Sequence, residues 1–174
     1  MMNPYRCEIC GETYLGLNPP ERCPFCGSAG KMVLPAAEWL NYGKVEMCKQ
    51  SYKDCKKALK LELDAYAFYK CSASKSDNQV TEAIFQRLMD QELEHAEVFA
   101  KAMGIPLPEV PECQCCSSKD YCNYVKANKD ESGAISFYTK VANRSPEPRI
   151  QQIFRAISDV ENQHLILTNM YLFR

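Results

Sequence analysis

The stretch DQELEHAEVF (residues 90–99) decides the fold, because it places Glu92 three residues before His95. The only other histidine in the 174-residue chain, His164, follows Glu161 at the same spacing in DVENQHLIL. Residues at i and i+3 share one face of a helix, so each Glu-x-x-His motif directs a carboxylate and an imidazole the same way. Both histidines are therefore candidates for one shared polar centre.

The two motifs belong to a longer internal repeat with a constant offset of 69 residues. The offset pairs Glu62 with Glu131, Ala65 with Ala134, Phe68 with Phe137, Tyr69 with Tyr138, Ile84 with Ile153, Phe85 with Phe154, Asp90 with Asp159, Glu92 with Glu161, and His95 with His164. Two such copies packed face to face have a pseudo-twofold axis. Paired residues from both copies then line whatever lies on that axis.

Apolar residues recur at three- and four-residue steps after about Glu38, which indicates helices. The predicted helices span roughly residues 45–73, 79–103, 119–143 and 147–173. The link from Gly104 to Ser118 can reach about 50 Å, whereas a 22-residue helix is about 33 Å long. The link can therefore cross the bundle. The sequence predicts a mainly α chain whose helices form a ferritin-like four-helix bundle with one long crossover.

The interior of this bundle would receive four carboxylates and two imidazoles. The candidate ligands are Glu62, Glu92, His95, Glu131, Glu161 and His164. An unpaired buried charge costs several kcal/mol, so two divalent or trivalent metal ions are needed to balance the set. The set also matches di-iron bundle proteins, and its ligand chemistry suits Fe or Mn better than Zn. The alternative, solvated glutamates with ordinary histidines, requires every one of these positions to coincide by chance.

Two further pairs have more than one interpretation. Tyr69 and Tyr138 lie seven residues after Glu62 and Glu131, either as core aromatics or as hydrogen-bond donors to ligand carboxylates. Asp90 and Asp159 either hold the free nitrogen of a ligand histidine across the bundle or lie on the surface.

The N-terminal segment carries a second candidate metal site. Four cysteines follow the pattern Cys7-x2-Cys10-x12-Cys23-x2-Cys26, and a glycine follows each Cys-x-x-Cys. Two such knuckles can close a tetrahedral four-thiolate site. The motif is strong evidence for a metal site, but four thiolates can bind either Fe or Zn. On spacing alone, a structural zinc ribbon is the more common interpretation. We therefore divide the chain into a metal-binding β/loop domain at 1–36 and a helical domain at 37–174.

Seven of the 11 cysteines lie outside this motif. Cys48, Cys55 and Cys71 fall on or near the first predicted helix, where buried thiols usually act as small hydrophobic residues. The others, Cys113, Cys115, Cys116 and Cys122, lie in or beside the crossover. Spare surface thiols, a local disulfide, a further metal site and a redox-active pair all remain open for this group.

The composition excludes several classes of partner. Net charge is −1 with 25% charged residues, so there is no basic field for nucleic acid. No run of about 18 apolar residues indicates a membrane span, and the N-terminus lacks the apolar core of a signal peptide. We expect a cytoplasmic protein, where reduced thiols favour metal ligation or redox work over disulfides.

Both modules together resemble a known family. YRCEICG and PPERCPFCG resemble the short rubredoxin-type domain of rubrerythrins, while ELDAYAFY, ELEH, ESGAISFY and ENQH resemble their di-iron helices. With the cysteine domain first, the layout resembles a reverse rubrerythrin. The resemblance implies two iron ions in the bundle, bound by the six residues above, and one iron (or zinc) in the four-cysteine site.

The resemblance also implies a function. The chain would be a peroxidase that reduces hydrogen peroxide to water at the di-iron centre. Electrons from a redox-protein or reductase donor would reach that centre through the four-cysteine iron. The linker of residues 35–45 looks too short to fold back, so a head-to-tail homodimer is expected to bring one chain's ribbon to its partner's bundle.

One position departs from the family pattern. Rubrerythrin peroxidases carry a further carboxylate three residues after the third-helix ligand, and here that residue is Ala134. This favours a di-iron oxidase or ferroxidase, acting on oxygen or iron, as the first alternative. The second alternative is a non-catalytic zinc-ribbon interaction protein.

Overall fold

A computed structural model describes residues 1–112 and 115–172 of the chain. The N-terminal segment forms a three-stranded antiparallel sheet of order β2-β1-β3. Its strands are β1 (Asn3–Cys7), β2 (Thr13–Gly16) and β3 (Val33–Pro35). The two cysteine knuckles occupy the loops that leave β1 and precede β3, so the predicted β/loop module is confirmed.

Four long helices follow the sheet, as predicted. They are α1 (Lys49–Lys75), α2 (Gln79–Met103), α3 (Asp120–Arg144) and α4 (Pro148–Leu172). Helix α1 packs mainly on α2, and α3 mainly on α4. The long crossover joins the two hairpins, which confirms the mainly α bundle. None of the helices in the described ranges is both long and apolar enough to cross a bilayer.

The helix boundaries follow from local chemistry. Asn78 caps α2, since its side-chain oxygen accepts from two backbone N–H groups of the first turn. Gly104 ends the same helix at φ 69°, a left-handed conformation suited to glycine. Helix α1 begins four residues later than predicted, because Cys48 is its N-cap. The preceding chain is instead held to α2 by the Val45 N–H, which donates to the Ala102 carbonyl at 2.8 Å.

The N-terminal module at residues 1–36, called the ribbon below, docks on the helices of its own chain. Cys7, Cys23 and Cys26 share one apolar core with residues of α2 and α4. Polar contacts tie the two parts together: Arg22 to Asp159 at 3.0 Å, Arg149 to the Glu8 carbonyl at 2.5 Å, and Arg87 to the Phe25 carbonyl at 3.0 Å. The expectation that the linker is too short to fold back is therefore wrong.

The remaining cysteines differ from one another. Cys55 is buried in the core, as expected. Cys48 is exposed at the start of α1, and Cys71 forms a disulfide with Cys116 across 45 residues, so the expectation of small core thiols is wrong for both. The disulfide staples the crossover to α1 and is not local. Cys122 is exposed on α3, and the prediction for Cys113 lies outside the described residues.

Candidate metal centres

The bundle interior brings all six predicted ligands together, and each is at most 5% exposed. Their ligand atoms form two overlapping groups, each within 4.8 Å: Glu62, Glu92, His95 and Glu161, and Glu92, Glu131, Glu161 and His164. Glu92 and Glu161 belong to both groups, so they lie between the two candidate metal positions. Glu62 and Glu131 each belong to one group, as terminal ligands would.

Both histidines turn the same nitrogen toward the carboxylates. His95 Nδ1 lies 3.2 Å from Glu161, 3.4 Å from Glu92 and 3.6 Å from Glu62. His164 Nδ1 lies 3.0 Å from Glu161, 3.2 Å from Glu92 and 3.8 Å from Glu131. The two halves of the site are thus near copies, as the internal repeat predicts.

The two shared glutamates and both histidines leave polar atoms unsatisfied. Within the described ranges, both oxygens of Glu92, both oxygens of Glu161 and Nδ1 of each histidine are buried without a hydrogen-bond partner. Unpaired buried polar groups of this kind are costly. Two cations between the carboxylates would satisfy all of them. The donor set of four carboxylates and two imidazoles therefore fits a pair of iron or manganese ions.

Each terminal carboxylate is held by a tyrosine from the other hairpin. Tyr138 donates from its hydroxyl to Glu62 at 2.6 Å, and Tyr69 donates to Glu131 in the same way. The hydrogen-bonding interpretation of these tyrosines is therefore the one observed. Burial raises the pKa of both tyrosine hydroxyls and of both carboxyl groups, so the phenols stay protonated donors.

The outer nitrogens of the two histidines have different partners. His164 Nε2 lies 2.9 Å from the side-chain oxygen of Gln91. The residue that corresponds to Gln91 near His95 is Val160, which has no acceptor. His95 Nε2 instead donates to the backbone carbonyl of Cys26 at 2.9 Å. The docked ribbon thus supplies the hydrogen-bond partner for Nε2 of His95, as Gln91 does for Nε2 of His164.

The backbone contact fixes the tautomer of His95. A carbonyl oxygen only accepts, so Nε2 of His95 carries the proton and Nδ1 presents its lone pair to the metal position. Without metal, the Nδ1 positions attract protons. Burial opposes a charged ring, but the carboxylates of Glu161 and Glu92 together outweigh it and raise the pKa of His164 to about 9. Metal binding at this site must therefore release protons.

Asp90 and Asp159 do not hold the histidines. Asp159 pairs with Arg22 of the ribbon, and Asp90 lies 3.9 Å from Arg87 in an exposed i,i+3 pair. The surface interpretation of both aspartates is the one observed. Asp159 nevertheless helps to hold the ribbon in place, because its partner Arg22 also donates to the Gly27 carbonyl at 2.9 Å.

The four ribbon cysteines bring their sulfurs within 4.8 Å of one another. Cys7 and Cys26 have sulfurs 3.8 Å apart, as do Cys10 and Cys23. Metal–sulfur bonds of about 2.3 Å in a tetrahedron give sulfur pairs about 3.8 Å apart, so the pocket fits one iron or zinc ion. The Ser28 hydroxyl lies 3.3 Å from two of these sulfurs.

Two participants were not found from the sequence. Gln91 breaks the 69-residue repeat, because its counterpart is Val160, so comparison of the copies hides its function. The Cys26 carbonyl belongs to the backbone, which no side-chain pattern reports. The sequence did contain one sign of this contact, the glycine that follows Cys26. In the structure Gly27 has φ 75°, and it lies so close to α2 and α4 that a Cβ would be 2.8 Å from Gln91.

Comparison with known proteins agrees with this geometry. The family described as Rubrerythrin, rubredoxin-like domain matches residues 5–32, and the family described as Rubrerythrin matches residues 55–110. Reverse rubrerythrin-1 of Clostridium acetobutylicum is 28% identical over 115 residues, which cover 59% of this chain and 63% of that protein. The match thus spans less than two thirds of the relative's length.

Proposed function

Because the chain carries a rubredoxin-like domain followed by a rubrerythrin domain, the order of a reverse rubrerythrin, we propose that it is a non-haem di-iron peroxidase. It reduces hydrogen peroxide to water: one peroxide takes up two electrons and two protons, its O–O bond breaks, and two waters form. The observation that carries the proposal is the hydrogen bond between the Cys26 carbonyl and His95. It joins a four-thiolate pocket directly to the carboxylate centre.

Two iron ions held by the six ligands would polarise the peroxide O–O bond and supply one electron each. The residues around them prepare the site. Tyr69 and Tyr138 fix the terminal carboxylates, and Gln91 and the Cys26 carbonyl fix the histidine rings. Ligands held in place by such partners need no rearrangement when the reaction begins.

The path for electrons is short and lies within one chain. It runs from the Cys26 sulfur through that residue's own backbone to its carbonyl, then over a 2.9 Å hydrogen bond to the His95 ring. Cys10 is partly exposed at the other side of the ribbon site, where an electron donor can approach. A donor that is itself a redox protein or reductase completes the proposal.

Replacing a ribbon cysteine separates the two halves of this function. Iron-loaded Cys10→Ala, fully reduced and then mixed with peroxide, should oxidise its bundle irons once at the normal rate. Its steady-state turnover should fall to a few per cent, because re-reduction is blocked. Cys55→Ala is the matched control, since that thiol is buried in the bundle core, and it should keep both rates. Normal steady-state turnover in Cys10→Ala would contradict the proposed route.

A di-iron oxidase is the second candidate, and Ala134 favours it. That position lines the bundle cavity beside the carboxylates and offers no extra ligand. The unsatisfied ligand atoms argue against the third interpretation, a zinc ribbon on a silent bundle, because apolar residues would serve a silent core better. A homodimer is not needed to bring the ribbon to the bundle, because the ribbon contacts the helices of its own chain. Homodimer formation and a cytoplasmic location stay predictions.

A further inference from the structure

We propose that the bundle cavity binds a neutral organic hydroperoxide, whose carbon chain lies between α1 and α3 while its O–O group reaches the carboxylates. This inference rests on the proposed peroxide reduction and names a substrate class for that site. The cavity has a volume of about 570 Å³ and ends at the carboxylates of Glu62, Glu92, Glu131 and Glu161.

The cavity is far larger than hydrogen peroxide needs. A water molecule takes about 30 Å³ in the liquid, so a molecule of two oxygens fills only a small part of the space. Pockets for organic ligands typically measure about 300–1,000 Å³. The walls here are mostly carbon, from Leu61, Ala65, Phe68, Ala134 and Phe137.

Small residues on facing helices create this room. Ala65 of α1 and Ala134 of α3 are counterparts in the repeat, and both line the cavity. Gly133 lies beside Ala134, and a Cβ built there would meet no described atom within 4 Å. The missing carboxylate at Ala134 therefore has a structural consequence: it leaves apolar space next to the metal ligands.

The mouth of the cavity indicates a neutral ligand. Lys57 lies over the Phe137 ring at 4.2 Å, and Lys126 lies over the Phe68 ring at 4.6 Å, as the repeat requires. Lys126 is also paired with Asp130. Apart from the buried glutamates, the lining holds three lysines, Lys57, Lys126 and Lys129, and three acids, Asp64, Glu112 and Asp130. Because these charges balance, the described mouth offers no net charge for an anionic head group.

The chemistry balances with the electron source already described. An organic hydroperoxide takes up two electrons from the reduced centre and two protons from solvent. Its O–O bond breaks, and one alcohol and one water leave. The alcohol product occupies the same apolar space as the substrate, so it also serves as a non-reactive probe of the cavity.

The first test measures binding alone. Calorimetric titration of 2-phenyl-2-propanol, the alcohol formed from cumene hydroperoxide, into zinc-loaded protein should show one saturable site. Ala134→Leu, which fills the cavity, should weaken binding at least about tenfold. Ala65→Leu gives an independent variant from the other wall. Ala83→Leu, exposed on α2 and outside this cavity, should bind like the wild type.

The second test measures substrate preference in iron-loaded protein. In both cavity variants, kcat/KM for cumene hydroperoxide divided by that for hydrogen peroxide should fall at least about tenfold. Absent alcohol binding in the wild type, or an unchanged ratio in both variants, would overturn the inference. Failure of the proposed function looks different: the wild type would reduce neither peroxide, whatever the binding result.

Discussion

Replacing Gly27 with alanine should loosen the ribbon from the bundle. A side chain in the left-handed region, here at φ 75°, costs about 1–2 kcal/mol. The new Cβ would also lie 2.8 Å from Gln91 Nε2 and 2.9 Å from Val160 Cγ1, and overpacking of this kind costs about 1–3 kcal/mol. The free energy of unfolding should therefore fall by about 2–5 kcal/mol.

Gly11→Ala is the matched control, because it occupies the same place in the other knuckle. Its φ is 87°, but its nearest contact would be the flexible end of Lys101 at 3.3 Å. Its free energy of unfolding should therefore fall only by the backbone contribution of about 1–2 kcal/mol. Urea unfolding of the zinc-loaded proteins measures the difference, which should be about 1–3 kcal/mol.

The same pair of variants tests the electron path. Gly27 follows Cys26, so its displacement should lengthen the carbonyl contact with His95, now 2.9 Å. Transfer from ribbon iron to bundle iron, followed by stopped-flow absorbance, should slow in Gly27→Ala and not in Gly11→Ala. Equal stability losses together with equal transfer rates would refute the argument that this close approach couples the two sites.

Three other changes probe the ligand network and the staple. Tyr138→Phe removes the hydroxyl that donates to Glu62 and should weaken metal binding about 10–100-fold. Tyr124→Phe is the control, because that hydroxyl contacts Thr81, and it should leave metal affinity unchanged. Competition with a chelator measures both affinities. His164→Ala should retain at most one of the two bundle metals by elemental analysis, and full loading would contradict its assignment as a ligand. Cys71→Ser opens a disulfide spanning 45 residues and should lower the free energy of unfolding by about 4 kcal/mol, because the unfolded chain gains loop entropy. Adding a reductant to the wild type should lower its stability in the same way. An unchanged urea midpoint in both cases would show that the disulfide does not stabilise the fold.

The sequence was informative where its signals were local or repeated. The Glu-x-x-His spacing places each pair on one helix face whatever the tertiary context. The 69-residue offset then indicated that the faces of the two hairpins meet. The helix ends near Gly104 and Pro148 followed from residues that terminate or begin helices.

Docking of the ribbon was not accessible in this way. It depends on complementary surfaces far apart in sequence, such as Arg22 with Asp159, and linker length alone suggested the opposite. The disulfide between Cys71 and Cys116 was missed for the same reason, since spacing does not show which thiols meet. The asymmetric partners of His95 and His164 were hidden because they lie where the repeat breaks.

In the proposed reaction, a four-cysteine iron reduces a bundle centre that consumes peroxide. The most direct measurement mixes anaerobically reduced, iron-loaded protein with hydrogen peroxide or with oxygen and follows the ferric–thiolate absorption by stopped flow. Rapid appearance with peroxide and slow appearance with oxygen is the predicted result. Oxygen that matches or exceeds peroxide would contradict it and would identify the chain as a di-iron oxidase.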